Sequence, residues 1–311
     1  MSGRVVVLTG GVGGAKLVLG LTQIVPPESI TAIVNTGDDF RHLGLAVSPD
    51  IDTLLYTLSG KGDAVKGWGR GGESWAFMEV LRSLGGEDWF QLGDGDLALH
   101  VLRSLLLAGG ESLSAVTAAF AARWGLPSTI LPMSDQPVAT HVATDDGDLP
   151  FQRYFVEQRC APSVRAIRFE GAEAASPAPG VLEALADPAT RAILIAPSNP
   201  WLSVDPILAV PGIRAALAAA RAPVVAVSPI VGGEAVKGPT AKLMRELGLD
   251  VTNAAIADHY AGIIDGLLVD ERDGAEGLAV EHHVTDTLMH SLADRARVAR
   301  EALALAERIG S

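Results

Sequence analysis

Residues 5–16 read Val-Val-Val-Leu-Thr-Gly-Gly-Val-Gly-Gly-Ala-Lys and contain the main indication of the fold. The apolar run before the first glycine predicts a buried strand, and the apolar spacing over residues 17–24 predicts a helix directly after the loop. The N-terminus of such a helix presents free backbone N–H groups and the positive end of a dipole, so it can bind an anion. The sequence therefore predicts a phosphate site. Its candidate residues are Gly10, Gly11, Gly13, Gly14 and Lys16.

This loop differs from the two best-known phosphate-binding sequences. A P-loop has Ser or Thr after its lysine, whereas Leu17 follows Lys16 here, and the dinucleotide fingerprint needs a glycine where Lys16 stands. A βα turn that binds no ligand is the alternative interpretation. The glycines together with Lys16 favour a phosphorylated ligand, but they do not indicate a reaction.

Predicted strands and helices alternate along most of the chain. The predicted strands are 5–8, 31–34, 151–156, 164–169, 192–195, 224–227 and 267–269. The predicted helices are 17–24, 75–84, 97–107, 113–124, 181–185, 240–247 and 285–309. This alternation predicts a single α/β domain over residues 1–311 with a doubly wound, mainly parallel, Rossmann-like sheet. Residues 48–136 have almost no strand pattern and are predicted to form a mainly helical insertion over the active-site edge.

Composition and charge argue against several classes of protein. The net charge of −13 argues against a nucleic-acid partner, because phosphate backbones require a basic surface. No apolar segment is long enough to cross a bilayer, and residues 1–4 lead into a strand without a signal-peptide pattern. Cys160 is the single cysteine, which excludes an internal disulfide and fits a reducing compartment. We therefore expect a cytoplasmic protein with no membrane partner.

Polar or glycine-rich clusters follow four of the predicted strands directly. These clusters are residues 9–16, 35–39, 197–200 and 228–233. In a doubly wound sheet the carboxyl ends of the strands share one edge, where ligands bind. The four clusters are therefore expected to converge on one crevice.

Acidic residues near these clusters indicate metal chemistry. Asp38 and Asp39 follow the second strand, and paired acids at a strand end commonly hold Mg²⁺, which bridges phosphates. Solvated or helix-capping aspartates are the alternative. Asp52 could cap a helix that starts at Thr53, which would leave Asp50 to point into the crevice.

Three further segments contain candidate binding residues. In Lys237-Gly238-Pro239-Thr240 a lysine lies beside a predicted helix N-terminus, which would form a second anion site. Trp68 lies in a glycine-rich stretch and could stack on a flat ligand. Asp94 and Asp96 form another acidic pair, of which we expect one to cap a helix and the other to be available.

Together, these segments closely resemble the 2-phospho-L-lactate transferase family of coenzyme F-420 biosynthesis. The matching segments run in order along the chain: LTGGVGGAK (8–16), NTGDDFRHLGLAVSPDIDTLLYTLSG (35–60), LGDGDLALH (92–100), ILPMSDQPVATHV (130–142), FQRYFV (151–156), PSNPWLSVDPIL (197–208) and AVSPIVGGEAVKGPTAKLM (226–244). The combination is far more specific than any single motif.

The resemblance implies a reaction. A phospho-three-carbon-acid group, 2-phospholactate or phosphoenolpyruvate, would move from a guanosine-diphosphate-linked donor to a hydroxyl of the deazaflavin Fo. GMP would leave, Mg²⁺ would be required and the protein would be a homodimer. The implied donor-binding residues are Gly10, Gly11, Gly13, Gly14, Lys16, Ser198, Asn199, Lys237, Gly238 and Thr240.

The resemblance also implies roles for the acidic residues. Asp38 and Asp50 would be catalytic, either binding the metal or orienting the attacking hydroxyl, and Asp50, Trp68 and Asp94 would bind the deazaflavin. One position departs from the family pattern. Family members commonly read Leu-Gly-Asp-Arg-Asp, whereas Gly95 stands here in place of the arginine, which removes a planar, bidentate partner for phosphate or an aromatic ring.

Two other functions remain open from the sequence. The related gluconeogenesis-factor branch would make the protein a nucleotide-sugar-binding regulator without turnover. A nicotinamide-dependent oxidoreductase is suggested only by the order of strand, glycine loop and helix. No acidic residue ends the second strand at the position that reads the ribose, because Asp38 comes after a turn. The preferred nucleotide would distinguish these functions.

Overall fold

The computed structural model describes residues 3–63, 68–236 and 238–311. In chain order its strands are β1 (Arg4–Thr9), β2 (Ile30–Val34), β3 (Phe40–His42), β4 (Leu45–Val47), β5 (Thr129–Pro132), β6 (Ala139–Thr144), β7 (Gly147–Pro150), β8 (Val164–Glu170), β9 (Thr190–Ile195), β10 (Val224–Val227), β11 (Ile230–Val231), β12 (Glu234–Ala235), β13 (Gly266–Asp270) and β14 (Glu281–Thr285).

The α-helices lie between and after these strands. In chain order they are α1 (Gly11–Leu21), α2 (Pro49–Leu58), α3 (Ala76–Ser83), α4 (Asp94–Ala108), α5 (Leu113–Arg123), α6 (Val181–Ala186), α7 (Asp205–Ala209), α8 (Ile213–Ala218), α9 (Thr240–Glu246), α10 (Asn253–His259) and α11 (Leu292–Gly310). Among the described residues, none of these helices is long and apolar enough to cross a membrane.

Seven strands form one central sheet in the order β14–β13–β10–β9–β1–β2–β5, and every neighbouring pair is parallel. Strand β1 lies in the interior, with Val7 opposite Ala32 on one side and Leu194 on the other. Along the chain, β2 and β5 are added on one side of β1. Strands β9, β10, β13 and β14 are then added in turn on its other side. The switch point of the sheet is therefore between β1 and β9, where open parallel sheets bind ligands.

Both faces of the sheet are covered, because successive residues of a strand point to opposite sides. Val5 and Val7 belong to a core with residues of α1, α2, α5 and α11, and Val6 and Leu8 belong to a second core with residues of α6, α7, α8, α9 and α10. All four side chains are fully buried. Full burial of such a side chain contributes about 1.5–3 kcal/mol. The prediction of a doubly wound, Rossmann-like α/β sheet is confirmed.

The segment 48–136 contains helices α2 to α5, but the expectation that it has almost no strand is wrong at its end. Strand β5 pairs with β2 in parallel and forms one edge of the central sheet. Just before the segment, β3 and β4 form a short antiparallel hairpin that the sequence did not predict. These strands were missed because each has only three or four residues.

Two other predictions, a strand over residues 151–156 and a helix over residues 285–309, are wrong in whole or in part. Residues 151–156 are helical, with a π-helical turn at Arg153–Glu157, whereas a strand was expected. The predicted helix 285–309 starts at Leu292, and β14 precedes it as the other sheet edge. Strand β8 is correctly predicted, but it pairs with β6 in a separate three-stranded antiparallel sheet.

Candidate active site

The glycine loop between β1 and α1 is packed too tightly to hold side chains. A Cβ added to Gly13 would lie 2.6 Å from the carbonyl oxygen of Pro197, and one added to Gly14 would lie 1.9 Å from Thr9 Oγ1. Gly11 has a φ of +63°, a conformation that favours glycine. These contacts hold the start of α1 against the end of β9, so the N-terminus of α1 lies at the switch point.

Two polar residues follow β9 beside this loop, and the first of them fastens it. Ser198 Oγ donates a hydrogen bond to the carbonyl oxygen of Gly10 at 2.6 Å and accepts one from its N–H group at 3.3 Å. Asn199 Oδ1 accepts hydrogen bonds from the N–H groups of Trp201 and Leu202. Across the part of the chain that the structure describes, Asn199 Nδ2 is buried without a hydrogen-bond partner. Ser198 therefore shapes the loop, and one amide donor of Asn199 stays unused.

Asp50 connects the glycine loop to the end of β2. Its Oδ1 accepts a hydrogen bond from the Gly11 N–H group at 2.7 Å, and its Oδ2 accepts one from Asn35 Nδ2 at 3.0 Å. Asn35 Oδ1 in turn accepts the N–H group of Gly37 at 2.8 Å. Burial raises the pKa of Asp50 to about 6, although the hydrogen bonds from Asn35 and Gly11 oppose the increase. Asp50 thus positions the loop in addition to presenting a carboxylate.

Asp38 and Asp39 lie in the turn after β2. Burial, together with the negative charge of Asp50, raises the pKa of Asp38 well above its usual range. Burial also raises the pKa of Asp39, although Ser48 Oγ donates a hydrogen bond to Asp39 Oδ2 at 2.6 Å. Among the described residues, Oδ1 of each aspartate is buried without a hydrogen-bond partner. The clusters after β1, β2 and β9 therefore meet as predicted. The fourth cluster, 228–233, instead contacts Asn253 and Asp273.

Asp38 and Asp50 fit a divalent cation by their chemistry. Their charges repel each other in a buried setting, and a bound cation would relieve this repulsion. In the described ranges, no group of three or more His, Cys, Asp and Glu side chains is arranged to hold a metal. Mg²⁺ is often held by one or two carboxylates, with waters and substrate phosphates as its other ligands. The pair therefore fits a Mg²⁺ ion that a phosphorylated ligand shares.

Asp52 has a structural role that the sequence did not indicate. Both of its carboxylate oxygens accept hydrogen bonds from the guanidinium of Arg103 on α4, and the Arg103 side chain is 1% exposed. His100, one turn earlier, lies between Asp52 and Asp96, with its Nε2 3.2 Å from Asp96 Oδ2. This buried ion pair joins α2 to α4 and so fixes the helix that carries Asp50.

A cavity of about 280 Å³ lies beside Asp38. Phe40, Trp89 and Phe151 line its apolar part, and the guanidinium of Arg153 lies 4.2 Å from the centroid of the Trp89 ring. Asp38, Asp39 and Thr140 are among its polar lining residues. Aromatic walls with a few polar groups are typical of a small-molecule site.

The structure gives Lys16 and Trp68 different surroundings from those expected. Lys16 Nζ donates a hydrogen bond to the carbonyl oxygen of Met289 at 2.9 Å, in the segment between β14 and α11. Trp68 is 57% exposed, and the tryptophan that lines the cavity is Trp89. The roles of Lys16 in donor binding and of Trp68 in deazaflavin binding stay predictions.

Asp94 is the capping member of its acidic pair. Its carboxylate accepts hydrogen bonds from Ser74 Oγ and from the N–H groups of Ala76 and Phe77, at the start of α3. The Ser74 hydrogen bond, followed by those of the two N–H groups, lowers the pKa of Asp94. Asp96, which was expected to be available, instead accepts a hydrogen bond from the hydroxyl of Tyr56 and lies beside His100. Deazaflavin binding by Asp94 stays a prediction.

The second predicted anion site is described only in part. Lys237 lies outside the described residues. Gly238 has a φ of +77°, and the buried Thr240 begins α9, which packs against β12 and β8. Their proposed contact with the donor stays a prediction.

Several residues of the site were not selected from the sequence. Asn35 was part of a strand-end cluster, but its contact with Asp50 depends on the arrangement of β2 and α2. The cavity residues Thr140, Trp89 and Arg153 come from three separate segments. Their common location depends on tertiary packing, so no local pattern indicated it.

Fold and site together define an α/β protein with buried carboxylates beside a glycine loop at the switch point of a parallel sheet, the place where such folds bind ligands. The family model "2-phospho-L-lactate transferase CofD" matches residues 5–307, and the chain belongs to this family of transferases.

Relatives along the full length agree with this assignment. The chain is 46% identical to the phosphoenolpyruvate transferase of Streptomyces avermitilis, with 98% of this chain and 99% of that protein covered. It is 39% identical to the 2-phospho-L-lactate transferase of Methanosarcina mazei, with 92% of this chain and 95% of that protein covered. The crystal structure of protein BH3568 from Bacillus halodurans has the same fold, with a TM-score of 0.66 at 20% identity over 98% of this chain and 100% of that one.

Proposed function

We propose that the protein transfers a phosphoenolpyruvyl group from a guanosine-diphosphate-linked donor to a hydroxyl of the deazaflavin Fo, releasing GMP, in coenzyme F-420 biosynthesis. One observation carries this proposal: the glycine loop, the carboxylates Asp38 and Asp50, and the aromatic cavity adjoin one another at the switch point. The relative named phosphoenolpyruvate transferase is more similar to this chain than the archaeal 2-phospho-L-lactate transferase, which supports phosphoenolpyruvyl over 2-phospholactyl.

The donor would bind at the glycine loop. Backbone N–H groups of the first turn of α1 would contact the diphosphate, and Asn199 Nδ2 would donate one more hydrogen bond. Asp38 and Asp50 would hold Mg²⁺, which when bound would neutralise charge on the diphosphate. Because the chain is acidic overall, backbone donors and a cation are the expected means of binding an anion.

The acceptor would occupy the cavity, with its ring system against Phe40, Trp89 and Phe151 and its hydroxyl toward Asp38. The hydroxyl oxygen forms a bond to the phosphorus of the phosphoenolpyruvyl group, and the bond from that phosphorus to the bridging oxygen breaks. GMP leaves with the bridging oxygen and its electron pair, and the hydroxyl proton is released to solvent. Asp38 and Asp50 would orient the hydroxyl. Positioning and charge neutralisation would supply most of the rate increase, as is usual in phosphoryl transfer.

An endpoint assay tests this function directly. The purified protein is incubated with Fo, Mg²⁺ and each guanylylated three-carbon acid, and GMP and the mass of the deazaflavin are measured. We expect product with the phosphoenolpyruvyl donor. Product with the 2-phospholactyl donor alone would contradict the choice of donor.

A variant and a binding measurement make this assay more specific. Trp89→Ala should raise the KM for Fo at least about fivefold and leave the KM of the donor within about twofold, since stacking on one aromatic ring contributes about 1–3 kcal/mol. An equal change in both constants would contradict the acceptor site. Binding of nucleotide sugars without any turnover would instead indicate the regulatory branch.

A further inference from the structure

Thr140 on β6 brings a hydroxyl group to the wall of the cavity. Thr140 lines the cavity together with Asp38 and is 2% exposed. Across the ranges that the structure describes, its Oγ1 is buried without a hydrogen-bond partner. A buried hydroxyl without a partner is unfavourable, and the large majority of buried polar groups in proteins are hydrogen-bonded. This hydroxyl therefore requires a partner that the described residues do not supply.

The other residues on the same face of β6 show that this hydroxyl is unusual. Thr140, Val142 and Thr144 share the buried face, because every second residue of a strand points to the same side. Val142 is fully buried in an apolar core, and Thr144 Oγ1 donates a hydrogen bond to the carbonyl oxygen of Gly147 at 2.8 Å. A valine at position 140 would fill nearly the same volume without an unpaired hydroxyl. The polar atom of Thr140, rather than its shape, thus indicates a ligand.

Two contacts place this hydroxyl beside the turn that carries Asp38. The Thr140 N–H group donates a hydrogen bond to the carbonyl oxygen of Gly37 at 2.7 Å. A Cβ added to Gly37 would lie 2.7 Å from Thr140 Oγ1, so the glycine leaves room for the hydroxyl to approach the turn. Asp38 follows Gly37, and among the described residues its Oδ1 is also buried without a hydrogen-bond partner. A hydroxyl donor and a carboxylate acceptor therefore lie at one cavity, and both are unpaired.

We propose that Thr140 binds the polyol chain of the acceptor and donates a hydrogen bond to the chain hydroxyl next to the one that reacts. This inference rests on the proposed function, in which the deazaflavin occupies the cavity with its reacting hydroxyl toward Asp38. The ribityl chain of the deazaflavin is a polyol, and each of its hydroxyls can accept one hydrogen bond and donate another. The contact with Thr140 would fix the rotation of the chain and so hold the reacting hydroxyl in one orientation.

The charges around Thr140 favour an uncharged partner over a phosphate of the donor. Asp38 and Asp39 line the same cavity, and their carboxylates repel a second anion in a buried setting. A neutral hydroxyl is not repelled. It can accept a hydrogen bond from Thr140 and at the same time donate one to a carboxylate oxygen, so a polyol pairs both unused groups of the cavity.

A comparison of Fo with a deoxy analogue tests this contact. The deoxy analogue is Fo that lacks the chain hydroxyl next to the reacting one. The wild-type protein should have a kcat/KM at least about fivefold higher for Fo than for the deoxy analogue, as for the loss of a hydrogen bond to a buried group. In Thr140→Val the two values should lie within about twofold of each other, and Thr140→Ser should restore the preference for Fo. A merely structural role would lower both values equally. Thr285→Val is the matched control, since Thr285 lies on the sheet edge β14 outside the cavity.

Equilibrium dialysis repeats the comparison without turnover and so separates this inference from the proposed function. Tighter binding of Fo than of the deoxy analogue by the wild-type protein, lost in Thr140→Val, would support the role of Thr140 even if no product forms, whereas the missing product would contradict the proposed transfer. Equal binding of the two compounds by the wild-type protein, or a preference for Fo that Thr140→Val keeps, would overturn the role of Thr140. A wild-type protein that binds neither compound would overturn both proposals.

Discussion

The guanidinium of Arg70 lies directly over Gly95, so that a Cβ on Gly95 would come within 2.3 Å of Arg70 Nη1. Arg70 Nη1 also pairs with Glu73 Oε1 at 2.9 Å. The Glu73 carboxylate accepts hydrogen bonds from the N–H groups of Gly95 and Asp96. It thus pairs two of the N–H groups that the first turn of α4 leaves without a partner inside the helix. Arg70, from the segment between α2 and α3, thus takes the space beside position 95. The family pattern has an arginine at position 95 itself.

This contact predicts a coupling between positions 70 and 95. Gly95→Ala in a helix would ordinarily stabilise a protein by about 0.5–1 kcal/mol. In the wild-type background we expect no gain in the free energy of unfolding, because the new methyl group displaces Arg70. In an Arg70→Ala background the gain should appear, with a coupling of about 1 kcal/mol. Urea unfolding of the four proteins measures it, and additive effects would contradict the interpretation.

Asp50 should be essential for turnover. Asp50→Asn keeps the size of the side chain but removes its negative charge and replaces one acceptor oxygen with an NH₂ group, facing either Gly11 N–H or Asn35 Nδ2. We expect kcat/KM to fall at least about a hundredfold, as for loss of a key electrostatic group. Steady-state kinetics measure the fall. Asp148→Asn is the control, because the Asp148 side chain is 43% exposed and pairs with His141. Near-normal turnover would exclude a catalytic role for Asp50.

Asp50→Asn can also separate two roles of this residue. If metal binding measured by calorimetry stays intact while activity is lost, Asp50 acts on the hydroxyl. If metal binding is lost as well, its main role is to hold the cation.

Gly13→Ala should weaken donor binding. The new methyl group would meet the Pro197 carbonyl oxygen, a backbone atom that can move only if the end of β9 moves away from the glycine loop. We expect a loss of about 1–3 kcal/mol in the free energy of unfolding. We also expect the KM of the donor to rise more than that of Fo. Gly62→Ala is the control, because the nearest atom to its added Cβ is at an ordinary 3.7 Å. Unchanged donor binding would show that the loop tolerates the shift.

Arg103 should be required for stability rather than for chemistry. Arg103→Ala would leave the Asp52 carboxylate buried without its partner, which typically costs about 3–5 kcal/mol. The double variant Asp52→Asn, Arg103→Met should lose much less, because neither side then carries a buried charge. Denaturant unfolding of the single and double variants measures the difference. Equal losses in both would contradict a buried ion pair.

Asp270 predicts a pH dependence of stability. Its burial alone would raise its pKa, but hydrogen bonds from Thr287 and Arg272 outweigh this and lower the pKa overall. A carboxyl group whose pKa is lower in the folded state stabilises the fold above its unfolded pKa of about 3.9, and this contribution is lost as the pH falls through the folded value. Asp270→Asn should therefore cost about 1–3 kcal/mol at pH 7. The cost should shrink in acid, so a penalty that is constant between pH 7 and pH 3 would contradict the prediction.

The sequence by itself determined the fold class and the family. Long apolar strands such as β1 and β9, the glycine loop, and the amphipathic helices are local patterns, and each is readable because burial imposes a period on the chain. The strand-end clusters followed from the general geometry of parallel sheets, so Asp38 could be selected without a structure. Asp50 was selected because it precedes an expected helix cap.

Only the tertiary structure decided the elements at the sheet edges and the details of the site. Strand β14 reads Glu-His-His-Val-Thr, which has no apolar run because an edge strand is partly exposed. The contacts of Asp50 with Gly11, of Asp52 with Arg103, and of Arg70 with Gly95 join residues 25 to 51 positions apart. A local pattern reports which side of an element is buried, whereas the partner of a buried polar group is set by how distant elements pack together.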